Sequence, residues 1–374
     1  MKFVIQQEDL NNGIKIVENA ASTKALQPVL LNILIETIGT NAIRLVATDL
    51  DLTIITEVDA QVEVEGKITL PSKTLNEIVS KLGNKLITFE KPEDSSTVNI
   101  TCQKSKFDII GISANEFPPE VYNVETKEEE SFTIEVKPLT KAAKKAGFAA
   151  ASYESSNLLS GIVCSISGET LEIASTDGNR LARVREKISN TENNSRQLII
   201  PARTMNEFNK ISAYIKEDSV KIYAEKTKMI IKSEKVTMIS RLLDGQYPKY
   251  EQLIPPDSPK NIVVNKNELL SALDRVAIMV DAKTSIVKFD LRQNQLLLTA
   301  DTSNSGKSEE ELAVEYSGED MVIAFNHKYV QDALKNIECD DVKIGMNTSL
   351  SATVFKPNCE EDFVCLIMPV QIRQ

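Results

Sequence analysis

The sequence predicts an α+β fold made of three tandem copies of one domain, each copy internally duplicated. Three observations carry this reading. Three stretches open alike: Lys2-Phe3-Val4-Ile5 then Leu10, Ser131-Phe132-Thr133-Ile134 then Leu139, and Asn261-Ile262-Val263-Val264 then Leu269. Their starts at Phe3, Phe132 and Ile262 lie 129 and 130 residues apart, a step far longer than the roughly 20–50 residues of solenoids and propellers. Later landmarks keep that step. Ala47-Thr48-Asp49 is echoed by Ser175-Thr176-Asp177 and loosely by Thr299-Ala300-Asp301, and Leu70-Pro71-Ser72-Lys73 by Ile200-Pro201-Ala202-Arg203 and Ala324-Phe325-Asn326-His327. A length of 374 residues fits two or three domains, and the step selects three.

Each opener reads as a short alternating strand running into an amphipathic helix. In the second, Leu139, Ala142, Ala143 and Ala146 supply the apolar stripe, and Lys137, Lys141, Lys144 and Lys145 fall mostly opposite it. Pro138 suits a first helical turn. A second helix follows Pro71, with Lys73 and Lys81 against Glu77. Its counterpart follows Pro201, with Arg203, Lys210 and Lys216 against Glu207. Between helices come strands. Glu57 to Glu65 alternates apolar with polar residues as one half-buried antiparallel strand. Residues 220–223, 229–232 and 236–240 form a meander. The expected domains are 1–124, 125–255 and 256–374, joined at the stiff segments Phe117-Pro118-Pro119-Glu120 and Ile254-Pro255-Pro256-Asp257-Ser258-Pro259.

Composition excludes more than it assigns. The net charge of −11 divides into −6, +2 and −7 over the three domains, so nucleic acid could be met only by a local basic surface. No apolar run approaches the ~20 residues needed to span a bilayer, and Met1 leads straight into a strand without a signal segment. Cys102, Cys164, Cys339, Cys359 and Cys365 show no CxxC spacing. They read as reduced, buried thiols in a cytoplasm, with neither a disulfide framework nor a zinc site. Catalysis finds no footing. His327 stands alone, at a helix start, where a surface or capping role is expected. Asp49 and Asp51 lack a third metal ligand, and Asp177-Gly178 reads as a turn. No enzyme activity, cofactor or metal is expected.

The triplication, the start Met1-Lys2-Phe3, the segments Ser175-Thr176-Asp177-Gly178-Asn179-Arg180-Leu181 and Leu243-Asp244-Gly245-Gln246-Tyr247-Pro248-Lys249-Tyr250, and the ending Leu366-Ile367-Met368-Pro369-Val370 together resemble the bacterial DNA polymerase III beta subunit family of replicative sliding clamps. The resemblance runs end to end. It implies three clamp domains per chain, and two chains closing head to tail into a ring with helices lining the hole and antiparallel sheets outside. It also implies sequence-independent contact with duplex DNA, which suits a sliding ring because base readout would pin it.

Carried over residue by residue, the resemblance assigns DNA-facing roles to Lys24, Lys73, Arg203 and Lys210, with Lys141 added from the lysine-rich helix. It implies a cleft for short peptides of the replicative polymerase, the clamp loader and repair proteins at Leu159, Thr176, Gly178, Arg180, Leu181, Pro248, Leu253, Asn326, Tyr329, Leu350, Ile367, Met368 and Pro369. It implies a homodimer edge of Lys104, Lys106, Phe107 and Ile109 against Ile278, Met279, Glu309 and Glu310. Departures are Asn157 and Leu158 where aromatic residues are frequent, Ser156 and Gln252 in place of arginine, Asn179 in place of histidine, and a tail running on to Gln374. The alternative is a clamp-fold paralogue acting as an antibiotic-binding or scaffold protein outside the replisome.

Overall fold

Each repeat begins with a strand whose alternate side chains enter a core and which turns directly into a helix. The computed structural model describes residues 1–24, 26–152, 158–189, 195–281, 284–302 and 306–371. Ser156, Asn157 and Gln374 lie outside them.

In the first repeat β1 (Lys2–Gln6) leads into α1 (Gln7–Val17). Then come β2 (Asn32–Ile38), β3 (Ala42–Thr48), β4 (Leu52–Asp59), β5 (Gln61–Val64) and β6 (Lys67–Pro71). A second half follows with α2 (Ser72–Lys81), β7 (Leu86–Glu90), β8 (Thr97–Cys102) and β9 (Ser105–Ile110). The second repeat runs β10 (Ser131–Glu135), α3 (Val136–Gly147), β11 (Gly161–Ser167), β12 (Thr170–Thr176), β13 (Arg180–Lys187) and β14 (Arg196–Pro201). It continues with α4 (Ala202–Ile211), β15 (Ser219–Ala224), β16 (Lys228–Lys232) and β17 (Val236–Arg241). The third runs β18 (Lys260–Asn265), α5 (Lys266–Val276), β19 (Ile286–Arg292), β20 (Gln295–Thr302), β21 (Gly306–Ala313) and β22 (Met321–Asn326). It closes with α6 (His327–Lys335), β23 (Asp341–Met346), β24 (Thr353–Pro357) and β25 (Phe363–Ile367).

Two compact units result: Met1–Thr140 with Thr204–Leu242, and Lys141–Arg203 with Leu243–Gln374. The division cuts through the middle repeat, and the ladders give the reason. In the first unit an eight-stranded sheet runs β10-β15-β16-β17-β4-β3-β2-β6, beside a five-stranded sheet β5-β1-β7-β8-β9. In the second, an eight-stranded sheet runs β14-β11-β12-β13-β25-β24-β23-β18, beside a four-stranded sheet β21-β20-β19-β22. Each eight-stranded sheet is thus two four-stranded halves from successive repeats. They join edge to edge, β17 on β4 from Val236↔Thr56 to Ser240↔Leu52, and β25 on β13 from Phe363↔Val184 to Ile367↔Arg180. Main-chain hydrogen bonds along these joints remove two exposed strand edges per joint.

Packing explains the local choices. Gly13 sits mid-helix in α1, where glycine costs roughly 0.5–1 kcal/mol relative to alanine. A Cβ there would stand 2.7 Å from Val58 Cγ2 and 2.9 Å from Leu45 Cδ1, so the helix approaches β3 and β4 only because it is absent. Phe3 stacks on Phe89 with ring centres 4.9 Å apart in the first repeat. In the third, Phe325 meets Phe289 and Phe355 edge-on, tying its two sheets together. Asn265 and Asn326 cap α5 and α6 through their side-chain oxygens.

Several expectations are corrected. The strand expected over Glu57 to Glu65 is two, since β4 ends at Asp59 and the chain passes at Ala60 from the eight-stranded to the five-stranded sheet. Helix α4 ends at Ile211, leaving Lys216 beyond it. His327 is buried, its Nδ1 3.0 Å from the Ser285 carbonyl oxygen, rather than a surface or capping residue. Lys145 leaves the solvated face of α3: it is 4% exposed and paired with Glu361 and, at 3.1 Å, with Glu338. Cys102, Cys164 and Cys365 are free and buried as expected, but Cys339 and Cys359 form a disulfide with Cα atoms 6.5 Å apart. No described helix is long and apolar enough to cross a membrane.

Candidate functional site

The middle of the second unit is organised around the turn that follows β12. Thr176 donates its hydroxyl to the Arg180 carbonyl at 2.6 Å and accepts the Gly178 amide at 3.1 Å. Asp177 Oδ1 accepts the amides of Asn179 and Arg180. Gly178 holds φ +91°, a left-handed conformation that a side chain would strain. This turn aims the Arg180 guanidinium. Its Nε donates to Asp177 at 3.1 Å and one terminal nitrogen donates to Asp332 at 2.6 Å. The guanidinium carbon lies 4.5 Å from the centre of the Tyr329 ring and 5.4 Å from that of Phe148. Arg180 is therefore a fixed plate between two aromatic faces and two carboxylates.

An apolar layer lies beside it. Leu181 is buried with Val163, Ala174, Tyr247, Tyr250, Val354, Val364 and Leu366, and Leu158, Leu159 and Ile254 pack against that cluster half-exposed. The two tyrosines of the Tyr247-Pro248-Lys249-Tyr250 segment spend their hydroxyls inward. Tyr247 accepts the Thr176 amide and donates to the Gly161 carbonyl, and burial pushes its pKa up to about 12. Tyr250 donates to Glu172 at 2.5 Å; burial, and then that carboxylate, raise its pKa. The segment is thereby clamped onto β11 and β12, and Leu253 just beyond is 57% exposed.

The chain end crosses the same region. The Met368 amide donates to the Asn179 carbonyl and the Val370 amide to that of Ala324. Met368 and Leu350 stay 44% and 62% exposed, while Ile367 is fully buried and can form only the floor. An open cleft of about 560 Å³ lies alongside, lined by Leu350, Val322, Ala324, Lys288, Val370 and Gln371. Asn326 is half-buried and spends its oxygen on the Lys328 amide. Pro248 is exposed and Pro369 half-buried. The thirteen cleft candidates thus all lie in one unit, arranged as an aromatic–guanidinium plate, an apolar layer and an exposed chain end. Sequence reasoning missed Asp332, Phe148 and Val322. Asp332 stands one helical turn after Tyr329, and that i, i+3 spacing was the available signal.

The basic candidates are spread. In the first unit Lys24 and Lys73 are exposed, and Lys210 is 60% exposed with its ammonium 2.8 Å from Glu207. In the second, Arg203 is half-buried and Lys141 reaches Glu186 at 2.8 Å. On the strand edges, Lys104 and Lys106 of the β8–β9 hairpin are exposed, Phe107 is half-buried and Ile109 is buried, while Ile110 stands out at 72%. At the other edge Ile278 is 78% exposed, Met279 is half-buried, and Glu310 takes a two-pronged contact from Arg275 at 2.7 and 2.8 Å. Glu309 is exposed on β21 and pairs with Lys307.

Three repeats of strand–helix–strands, joined edge to edge, with an apolar layer at the second joint, define a clamp-type architecture. Residues 1–122, 133–249 and 251–371 match the N-terminal, central and C-terminal domains of the DNA polymerase III beta subunit. The beta sliding clamps of Synechococcus elongatus and Synechocystis are 33% and 34% identical to this chain over the full length of each protein. Among solved structures, the DNA polymerase III beta subunit of Thermotoga maritima superposes with a TM-score of 0.91 at 25% identity, covering both chains completely. The sliding clamp of Pseudomonas aeruginosa bound to griselimycin gives 0.89 at 27%, again over the whole of both. The chain belongs to the DNA polymerase III beta subunit family.

Proposed function

We propose that two copies of this chain close head to tail into a ring around duplex DNA and tether the replicative polymerase, clamp loader and repair proteins to it. Each chain contributes three domains, 1–124, 125–255 and 256–374, and acts by topology rather than catalysis, in the cytoplasm. The carrying observation is a missing joint. The last strand of a repeat's second half, β17 or β25, pairs with the strand that edges the sheet of the preceding repeat's first half, β4 or β13. By repeat equivalence β9 and β21 are the remaining members of those two sets, and each ends its sheet. A second copy supplies the partner of each.

The hairpin registers align the strands: Ala42↔Asp59 corresponds to Gln295↔Ala313, and Lys228↔Arg241 to Thr97↔Ile110. Transferring the β17–β4 register then sets Lys106 opposite Glu309, Asp108 opposite Lys307, and Phe107 opposite Ser308 of the other copy. Two cross-strand pairs of opposite charge follow on the outer face. On the inner face lies an apolar strip of Phe107 and Ile109 near Met279, whose methyl is the atom closest to where a Cβ on Gly306 would be.

DNA is contacted without base readout by Lys24, Lys73, Lys141, Arg203 and Lys210, and the cleft around Arg180, Leu181 and Met368 receives an extended peptide. The test is retention on DNA. Protein loaded on a nicked plasmid is expected to stay through gel filtration, to leave when the plasmid is cut once, and to be held less well as salt rises. Equal loss from the circular and the cut plasmid contradicts the proposal.

A further inference from the structure

The disulfide pair has a third group beside it. Cys339 follows α6, Cys359 lies in the turn between β24 and β25, and Glu361 follows two residues later. The two sulfurs and a carboxylate oxygen of Glu361 all lie within 4.8 Å of one another. The sequence held no zinc spacing because these groups converge only when the α6 end meets the β24–β25 turn.

Glu361 is already oriented for a ligand's part. Its Oε1 accepts from the buried Lys145 ammonium, and its Oε2 faces the other way, accepting weakly from the Glu338 amide at 3.4 Å and lying 3.9 Å from Cys339 Sγ. One oxygen is anchored and the other is turned toward the sulfur pair, the arrangement in which an outer hydrogen bond fixes a metal-binding carboxylate. Two ligands about 2.3 and 2.1 Å from one tetrahedral ion stand roughly 3.6 Å apart, close to that 3.9 Å. The place is reachable: Cys359 is exposed, and an open cleft of about 710 Å³ runs past both cysteines and Glu361. Glu338, Glu360 and Asp362 add negative charge around it, against Lys141, Lys145 and Arg185.

We propose that reduction of the Cys339–Cys359 bond creates a three-ligand site for a thiophilic divalent cation of the zinc type, made of both thiolates and Glu361 Oε2, with the fourth position open to water. A phosphine reductant takes up oxygen from water and becomes the phosphine oxide, while the sulfur–sulfur bond breaks and each sulfur gains a proton. Binding of the cation then displaces those two protons. The site is closed in the oxidised chain and open in the reduced one.

The full-length chain, reduced with a phosphine, freed of reductant under nitrogen and titrated with cobalt(II), tests this. One-to-one binding is expected, with thiolate-to-cobalt absorption in the near ultraviolet, the visible bands of a tetrahedral ion, and displacement of the cobalt by zinc. Cys359→Ser, at an exposed position, and the oxidised wild-type chain are expected to lose the absorption with unchanged circular dichroism. Glu361→Gln should keep it while weakening binding by about tenfold or more. Cys102, Cys164 and Cys365 are buried, and burial pushes the Cys164 pKa up to about 12, so they stay out of the titration. The proposal is overturned if reduced wild type keeps the spectrum of hydrated cobalt, if Cys359→Ser binds as wild type does, or if thiol counting shows that the pair does not reduce in the folded chain.

Discussion

At the scale of single residues, Arg180 is the best-anchored candidate. Its guanidinium satisfies Asp177 and Asp332 and lies over Tyr329, and its side chain is only 12% exposed. Removing it strands Asp177, which is nearly as buried, without its charge partner. Arg180→Ala is therefore expected to destabilise the fold by about 1–3 kcal/mol, read as a lowered urea midpoint; an unmoved midpoint would mean the plate carries no structural weight. Met368 is the opposite case, an apolar side chain kept 44% exposed by its amide's bond to Asn179. If it anchors a peptide, the burial is worth roughly 1.5–3 kcal/mol, so Met368→Asp should weaken a labelled clamp-binding peptide by about tenfold or more. Unchanged affinity in a folded variant sinks the assignment.

The sequence made Met368 and Arg180 visible through the motifs around them, but it misjudged Lys145. Its place on α3 looks solvated by helical spacing. Glu361, 216 residues away, draws it inward, and no local pattern carries that distance. The same holds for Cys339 and Cys359, whose pairing depends on where a helix end meets a hairpin turn.

At the scale of elements, periodicity located the openers and the second helices because each buries one face at a regular spacing. It could not see that β4 and β5 belong to different sheets, since alternation continues through Ala60 while the hydrogen-bonding partners change. Nor could it tell a strand inside a sheet from one that ends it. That distinction now matters most for β9 and β21. If the β17–β4 register is repeated there, Lys106→Glu places two acids opposite each other and should turn a dimer into a monomer in sedimentation. Combining it with Glu309→Lys should restore the dimer, because the pair is merely reversed. Failure of the double variant to recover, after the single variant has dissociated, would show that these residues do not face one another.

At the scale of the whole molecule, the three-fold repeat was legible because a step of about 130 residues survives in spaced hydrophobic and turn residues. The joints between repeats were not, and they carry the consequence. The middle repeat is shared, one sheet sewn to each neighbour, so the compact units of the fold are not the repeats of the sequence. In the ring proposed above, the same rule of joining assigns β9 and β21 to another copy. The charge distribution is consistent with a ring whose DNA contacts are local: the middle domain is the one with net positive charge, at +2 between −6 and −7. Weak phosphate contacts suffice when closure, not affinity, holds the DNA.

Closure around DNA through that edge can be measured directly. In a chain carrying Cys339→Ser and Cys359→Ser, Lys106→Cys and Glu309→Cys bring cysteines to the two exposed positions that the transferred register sets opposite each other. Loaded on nicked plasmid and bridged with a short bis-maleimide, the protein should migrate with the plasmid through detergent as a doubly linked dimer and be released once the plasmid is cut. Detergent release of the doubly linked dimer from the uncut circle, or absence of the link altogether, would contradict a ring closed by β9 and β21.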